Sequence, residues 1–355
     1  MFKPAKPTEI LNAICALILI GGALTLARSV FAPLAFALFV IAIVWPFQRR
    51  LQAALPRVLA VLISVTLTAA AILAFGSLVI WGFSRVVRSV ISDAMRLQDL
   101  YAQTADWLEK HGILLAGLWA EHFNVQWLLR QLPELTSRFN STATFLFVVL
   151  IYVILGLLEA DDVVRKLTAA GAREFGRALL AGCARTGVKL RRFMLVRTLM
   201  SLMTGALVSA FVAITGLELA LEWGVIAFVL NYIPVIGPFV ATVLPTLFSI
   251  AQFASWQTAL TIFVCLNLIQ FVVGSYLEPR VAGNALAMSP FIVLFAVFFW
   301  TYLWGVAGAF IGVPIVIAIL TVCEQYPSSR WITDLLGSPS NRMDEVRAPL
   351  RHPRS

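Results

Sequence analysis

The chain is 355 residues long, 60% hydrophobic and only 13% charged, with a formal net charge of +9. Soluble globular domains run at about 45–50% apolar and about 25% charged residues, so this chain has more apolar surface than one core can hide, and lipid must cover the remainder. The positive balance fits basic cytoplasmic loops and anionic headgroups, and no motif interleaves aromatic and basic residues as a nucleic-acid surface would.

Lys3 and Lys6 lead into a first apolar run, 10–27, read as a retained helix because many further runs follow. A second run, 30–47, ends in Gln48-Arg49-Arg50, and a third covers 58–83. Each lies near or above the roughly 20 apolar residues that cross a bilayer. Residues 1–83 are therefore expected to be N-terminal transmembrane segments. In 84–140 the pattern changes. Val87, Val90, Ile91, Ala94, Leu97, Tyr101, Ala105 and Leu108 recur at helical spacing with charges between them. That predicts an amphipathic helical lobe outside the hydrocarbon, where Trp107, Trp119 and Trp127 suit an interface or a packed lobe.

The membrane domain proper is expected over 141–322. It opens with a span at 141–158, followed by Glu159, Asp161, Asp162 and a basic amphipathic segment to Arg197. A fifth span covers 198–216, with Glu218 and Glu222 behind it. Then come the runs 223–253, 255–277 and 290–322, and a polar tail, 323–355. Residues 160–197 hold nine basic side chains against three acidic ones, whereas 84–140 holds six of each. The positive-inside rule then places both termini, 48–57 and 160–197 in the cytoplasm and 84–140 outside.

Two runs are too long for straight spans. As helices, the 31 residues of 223–253 would extend about 46 Å and the 33 of 290–322 about 50 Å, against a hydrocarbon core of about 30 Å. Helix breakers occur in both. Asn-Tyr-Ile-Pro-Val-Ile-Gly-Pro, from Asn231 to Pro238, carries Pro234, Gly237 and Pro238. The other run carries Gly305, Gly308, Gly312 and Pro314. Proline removes a helix donor and clashes with the preceding turn. Both runs are expected to be broken or re-entrant. Irregular backbone at membrane depth survives only where protein or a water-filled cavity covers it, and paired breaks point to a transport site. Kinks serving packing alone are the plainer alternative, and Gly308-x-x-x-Gly312 suits close helix approach.

Asn231, Asn267 and Gln270 are uncharged polar residues in apolar runs, the last two on one helix face at i, i+3, with a neighbouring helix or a solute as equally weighted partners. Glu218, Glu222 and Glu278 sit at run ends, and Glu278-Pro279-Arg280 joins two hydrophobic segments. The four cysteines and three histidines lack metal-ligand spacing, so neither a metal nor a cofactor is expected. Intramembrane catalysis is not expected either, since no catalytic motif falls within a span.

Several of these stretches resemble one family. They are the N-x-I-P-x-x-G-P motif at 231–238, Gln270, Leu-Glu-Pro-Arg-Val-Ala-Gly-Asn-Ala at 277–285, Ser289-Pro290 and G-x-x-G-x-x-x-G-V-P at 305–314. The Ala-Pro-Leu-Ala-Phe-Ala segment at 32–37 and Arg-Arg-Phe-Met at 191–194 agree. Together they resemble the AI-2E (autoinducer-2 exporter) family of bacterial inner-membrane proteins. The resemblance implies an all-α, polytopic permease of about eight hydrophobic segments. It also implies a homo-oligomer, with a pentamer as one candidate, and export of an autoinducer-2-like molecule, or sodium/proton antiport in one branch. Where many members carry Gly-Lys-Ser, this chain has Gly283-Asn284-Ala285, so contacts made by that lysine and serine are not expected.

The expected function is transport of a small polar solute in a membrane of lipids. The pathway is expected along Asn231, Pro234, Gly237, Pro238, Asn267, Gln270, Glu278, Pro279, Arg280, Gly305, Gly308, Gly312 and Pro314. Antiport coupled through Glu218, Glu222 or Glu278 is the first alternative, and a scaffold acting through the 84–140 lobe is the second.

Overall fold

The computed structural model describes residues 7–92, 125–169, 173–282, 288–325, 331 and 336. Among them are ten α-helices, one π-helical segment and no strand. In chain order these are α1 (Pro7–Leu26), α2 (Arg28–Gln52), α3 (Arg57–Ser92), α4 (Val125–Thr168) and α5 (Arg173–Thr215). There follow α6 (Ala220–Leu230), α7 (Ile236–Phe253), α8 (Trp256–Phe271), the π segment (Val272–Leu277), α9 (Glu278–Ala282) and α10 (Pro290–Cys323). By length and composition, seven helices can cross a membrane. The protein is an all-α, multi-pass membrane protein.

Helices run on where the sequence suggests boundaries. The third span continues to Ser92 without a stop. The fourth belongs to a helix that begins at Val125, and the fifth to one that begins at Arg173. A helix has no reason to end at the headgroups when the residues beyond keep an amphipathic face and good propensity. The amphipathic pattern of 93–124, with Trp107 and Trp119, and most of the tail lie outside the described residues.

The chain forms two compact units. The first comprises 1–66, 145–191 and 284–355, and the second 67–144 and 192–283. In the first unit α2 packs on α4 around Ala37, Val149, Val153 and Leu157. Gln48, fully buried, donates to the Leu157 carbonyl at 3.2 Å, and Arg57 to the Leu158 carbonyl at 2.9 Å. Arg49 and Arg57 lie 3.7 and 3.9 Å from Asp161. Lys189 pairs with Glu324 at 2.7 Å.

The α10 run in this unit folds back on itself. Gly305 adopts φ 63°, ψ −142°, a conformation open essentially to glycine alone. Beyond it, a Cβ on Gly308 would lie 1.8 Å from the Trp300 carbonyl oxygen, and one on Gly312 2.9 Å from that of Ala296. Residues eight and sixteen apart touch only if the limbs 290–304 and 306–323 run antiparallel. The expected break is therefore a helical hairpin, with Gly308 and Gly312 giving close approach. Pro314 is buried in its second limb.

The second unit is built on the other broken run. α6 and α7 also form an antiparallel hairpin: Leu230 meets Gly237 near the tip, and Trp223 meets Phe248 further out, ring centroids 5.6 Å apart. Val86 of α3, Val208 and Val212 of α5, and Ile262 and Leu266 of α8 close this core around Trp223, Ile226 and Ala227. α5 and α6 touch through Gly205 and Gly224, where an added Cβ on either would lie 2.7 Å from the other's carbonyl oxygen.

Candidate functional site

One face of α5 changes character along its length. Arg197, Ser201, Thr204, Val208 and Val212 fall at successive intervals of four, three, four and four residues and are all buried. They therefore share one stripe. The last two close the apolar core, whereas the first three present a guanidinium and two hydroxyls.

The α6–α7 tip meets this polar end. Asn231, 5% exposed, donates from Nδ2 to Ser201 Oγ at 3.3 Å. The Tyr232 hydroxyl bonds the Thr198 hydroxyl at 3.0 Å, and its ring stands edge-on to Phe75 and Phe228. Ser201 lies fourteen residues before the end of α5 at Thr215, so at helical rise the tip meets α5 about 21 Å from that end.

The local sequence makes this tip. Pro234 is followed by Val235 at φ 66°, ψ −59°, and the Ile236 N–H donates to the Pro234 carbonyl at 2.7 Å. This is a γ-turn of the rare, strained kind. Pro238 falls in the first turn of α7, where its missing N–H has no helical acceptor to lose. Gly237 is required by space, because a Cβ there would lie 1.8 Å from the Leu230 carbonyl oxygen.

The third wall is the rod formed by α8, the π segment and α9. The π segment widens the helix for six residues and so resets which face the next residues occupy, a feature frequent at functional sites. Glu278, the first residue after it, accepts from Arg197 Nη1 at 3.2 Å. Gln270 lies about two turns earlier, with its Nε2 buried and unpartnered.

The other expected pathway residues lie elsewhere. Asn267 is exposed and donates to the Phe263 carbonyl of its own helix at 2.8 Å, so it does not share the buried environment of Gln270. Pro279 and Arg280 are exposed, the guanidinium 3.9 Å from the Tyr276 ring centroid. Gly305, Gly308, Gly312 and Pro314 belong to the first unit. Of the coupling candidates, Glu218 is exposed in the turn before α6. Glu222 is 4% exposed and held by Arg85 at 2.6 Å, and Glu278 is held by Arg197. Neither of these two carboxylates is left without a cation, which gives antiport less support than carriage of a solute.

A family profile described as "AI-2E family transporter" matches residues 14–328. The chain belongs to the AI-2E transporter family. Among its relatives, the "AI-2 transport protein TqsA" of Escherichia coli is 26% identical over 340 residues, covering 94% of this chain and 98% of that protein. A "putative transport protein" of Haemophilus influenzae is 23% identical over 341 residues, 92% and 95% of the two chains. The E. coli "putative transport protein YhhT" reaches 31% identity over 145 residues, 41% of this chain and 40% of its own. This AI-2E member is thus a membrane transporter whose relatives are named as transport proteins.

Sequence reasoning placed Arg197 at the end of the basic amphipathic segment, and the structure shows it 8% exposed and paired with Glu278 inside the second unit. Its position two residues after Leu195, with apolar residues on both sides, was the available signal. Ser201, Thr204 and Val235 went unnoticed because small hydroxyls and a valine leave no mark in an apolar run.

Proposed function

We propose that the chain carries a small polar solute across the bacterial inner membrane, with the α6–α7 tip as the part of the protein that meets it. The observation behind this reading is irregular backbone with polar partners, Asn231 on Ser201 and Tyr232 on Thr198, inside an apolar run of the membrane domain. Hydrocarbon cannot satisfy such groups, so a hairpin tip that keeps them within an apolar run suits a wet route. An AI-2-like signalling molecule is one solute of this kind, given the name of the E. coli relative, and export is the direction that accompanies it.

The charge distribution supports cytoplasmic termini, with 48–57 and 160–197 on the same side. Exposed side chains such as Leu19, Ile214 and Phe291 support a lipid surround, and assembly with further copies of the chain belongs to the same reading. The test is uptake of labelled small polyols and hydroxy acids into liposomes containing the full-length protein. Asn231→Leu keeps the volume and removes the amide, and it is expected to slow uptake about tenfold or more. Unchanged uptake would overturn the reading.

A further inference from the structure

The buried cation next to the hairpin tip has more hydrogen-bonding capacity than its surroundings use. Among the described residues, Arg197 and Glu222 are the buried charged side chains. Glu222 is closely matched by Arg85. Arg197 is not so well matched. A guanidinium offers five N–H donors in a fixed fork. Nη1 reaches one Glu278 oxygen at 3.2 Å, and Nε is buried with no acceptor. Phe193, 5.8 Å away at its ring centroid, supplies a face but no acceptor.

The same α5 stripe supplies a second unused group. Thr204 Oγ1 is buried and unpartnered, and between it and Arg197 the Ser201 hydroxyl accepts from Asn231. A buried charged donor without an acceptor is costly, and the complement of a guanidinium fork is a pair of oxygens on one anion. Hydroxyls and an amide alongside it complement a solute bearing hydroxyl groups. Glu278 is the looser member of the present pair, its side chain 23% exposed against 10% for Arg197. It also follows a π segment, which can re-register to α and so turn the residue behind it.

Resting on the carrier reading, we infer that the solute is a small hydroxy-carboxylate. Its carboxylate takes the Arg197 fork and displaces Glu278, which holds that place between turnovers as a tethered carboxylate. Ser201 and Thr204 meet the hydroxyl groups of the solute.

The experiment compares uptake of radiolabelled erythronate, a four-carbon hydroxy acid, with that of erythritol, its neutral counterpart, by the full-length protein in liposomes. Erythronate is expected to enter about tenfold faster or more. Arg197→Gln should bring the ratio of the two rates to unity, and Arg197→Lys, which keeps the charge without the fork, should leave an intermediate ratio. Glu278→Gln keeps the cation and weakens its competitor, so it should lower the erythronate concentration needed for half-maximal uptake. That variant decides the matter even if Arg197→Gln fails to fold. Equal wild-type rates, or a selective loss of erythronate uptake in Glu278→Gln, overturn the anion assignment and leave the carrier reading standing. Absence of uptake for both solutes removes the two together.

Discussion

Val235 holds a conformation that a β-branched side chain avoids, at a cost of about 1–3 kcal/mol. The strain persists because its neighbours fix it: Ile236 bonds Pro234 across it, and Gly237 packs against the Leu230 carbonyl. Gly237 is the most sensitive of these positions. Gly237→Ala must part the end of α6 from the start of α7, with a stability loss of about 2 kcal/mol or more. Thermal unfolding in detergent measures this, with Gly21→Ala as the comparison, since nothing lies within 4 Å of the Cβ added there. A similar unfolding temperature for the two variants would contradict the tip geometry.

At the scale of elements, the ion pair between α3 and α6 is set to hold the core closed. Glu222 opens α6, where a carboxylate favours the helix dipole, and Arg85 reaches it from solvent across the flank of Trp81. Arg85→Ala leaves a buried carboxylate without its cation. With the arginine half in solvent, the expected loss is about 2 kcal/mol, below the figure for a fully buried pair. Glu222→Gln, which removes the orphaned charge as well, should cost less. Chemical denaturation of the two variants gives the order, and the reverse order would show that the pair does not carry this contact.

The helix breaks were legible in the sequence because length and breakers agree: two runs exceed a bilayer, and each contains glycine and proline where the excess falls. The sequence leaves hairpin and discontinuous helix both open, and the close approaches Gly237 to Leu230 and Gly308 to Trp300 decide for the hairpin. The polar stripe of α5 was not legible. Arg197 closes a basic amphipathic segment and reads as its last charge. Only the continuation of α5 through 173–215 and the register change of the π segment bring it against Glu278. Asn267 and Gln270 look alike in sequence and separate only when α8 turns one outward and the other inward.

At the scale of the whole molecule, each unit contains one hairpin, and a hairpin returns the chain to the side it left. Under the proposed topology, neither α6–α7 nor α10 adds a net crossing. With α1 counted as a crossing, α1 to α5 and the α8–α9 rod make an even number, in keeping with the cytoplasmic termini proposed from the charge distribution. A membrane transporter needs a wet passage somewhere along those crossings, and Val235, 55% exposed at the tip of a hairpin, is the position from which to look for it. The direct measurement replaces Cys15, Cys183, Cys265 and Cys323 with alanine, introduces Val235→Cys, and treats intact membranes with a charged, membrane-impermeant thiol reagent. A wet route predicts rapid labelling at position 235 that slows in the presence of transported solute. Labelling only by a lipid-soluble maleimide would put the tip against hydrocarbon and contradict the account.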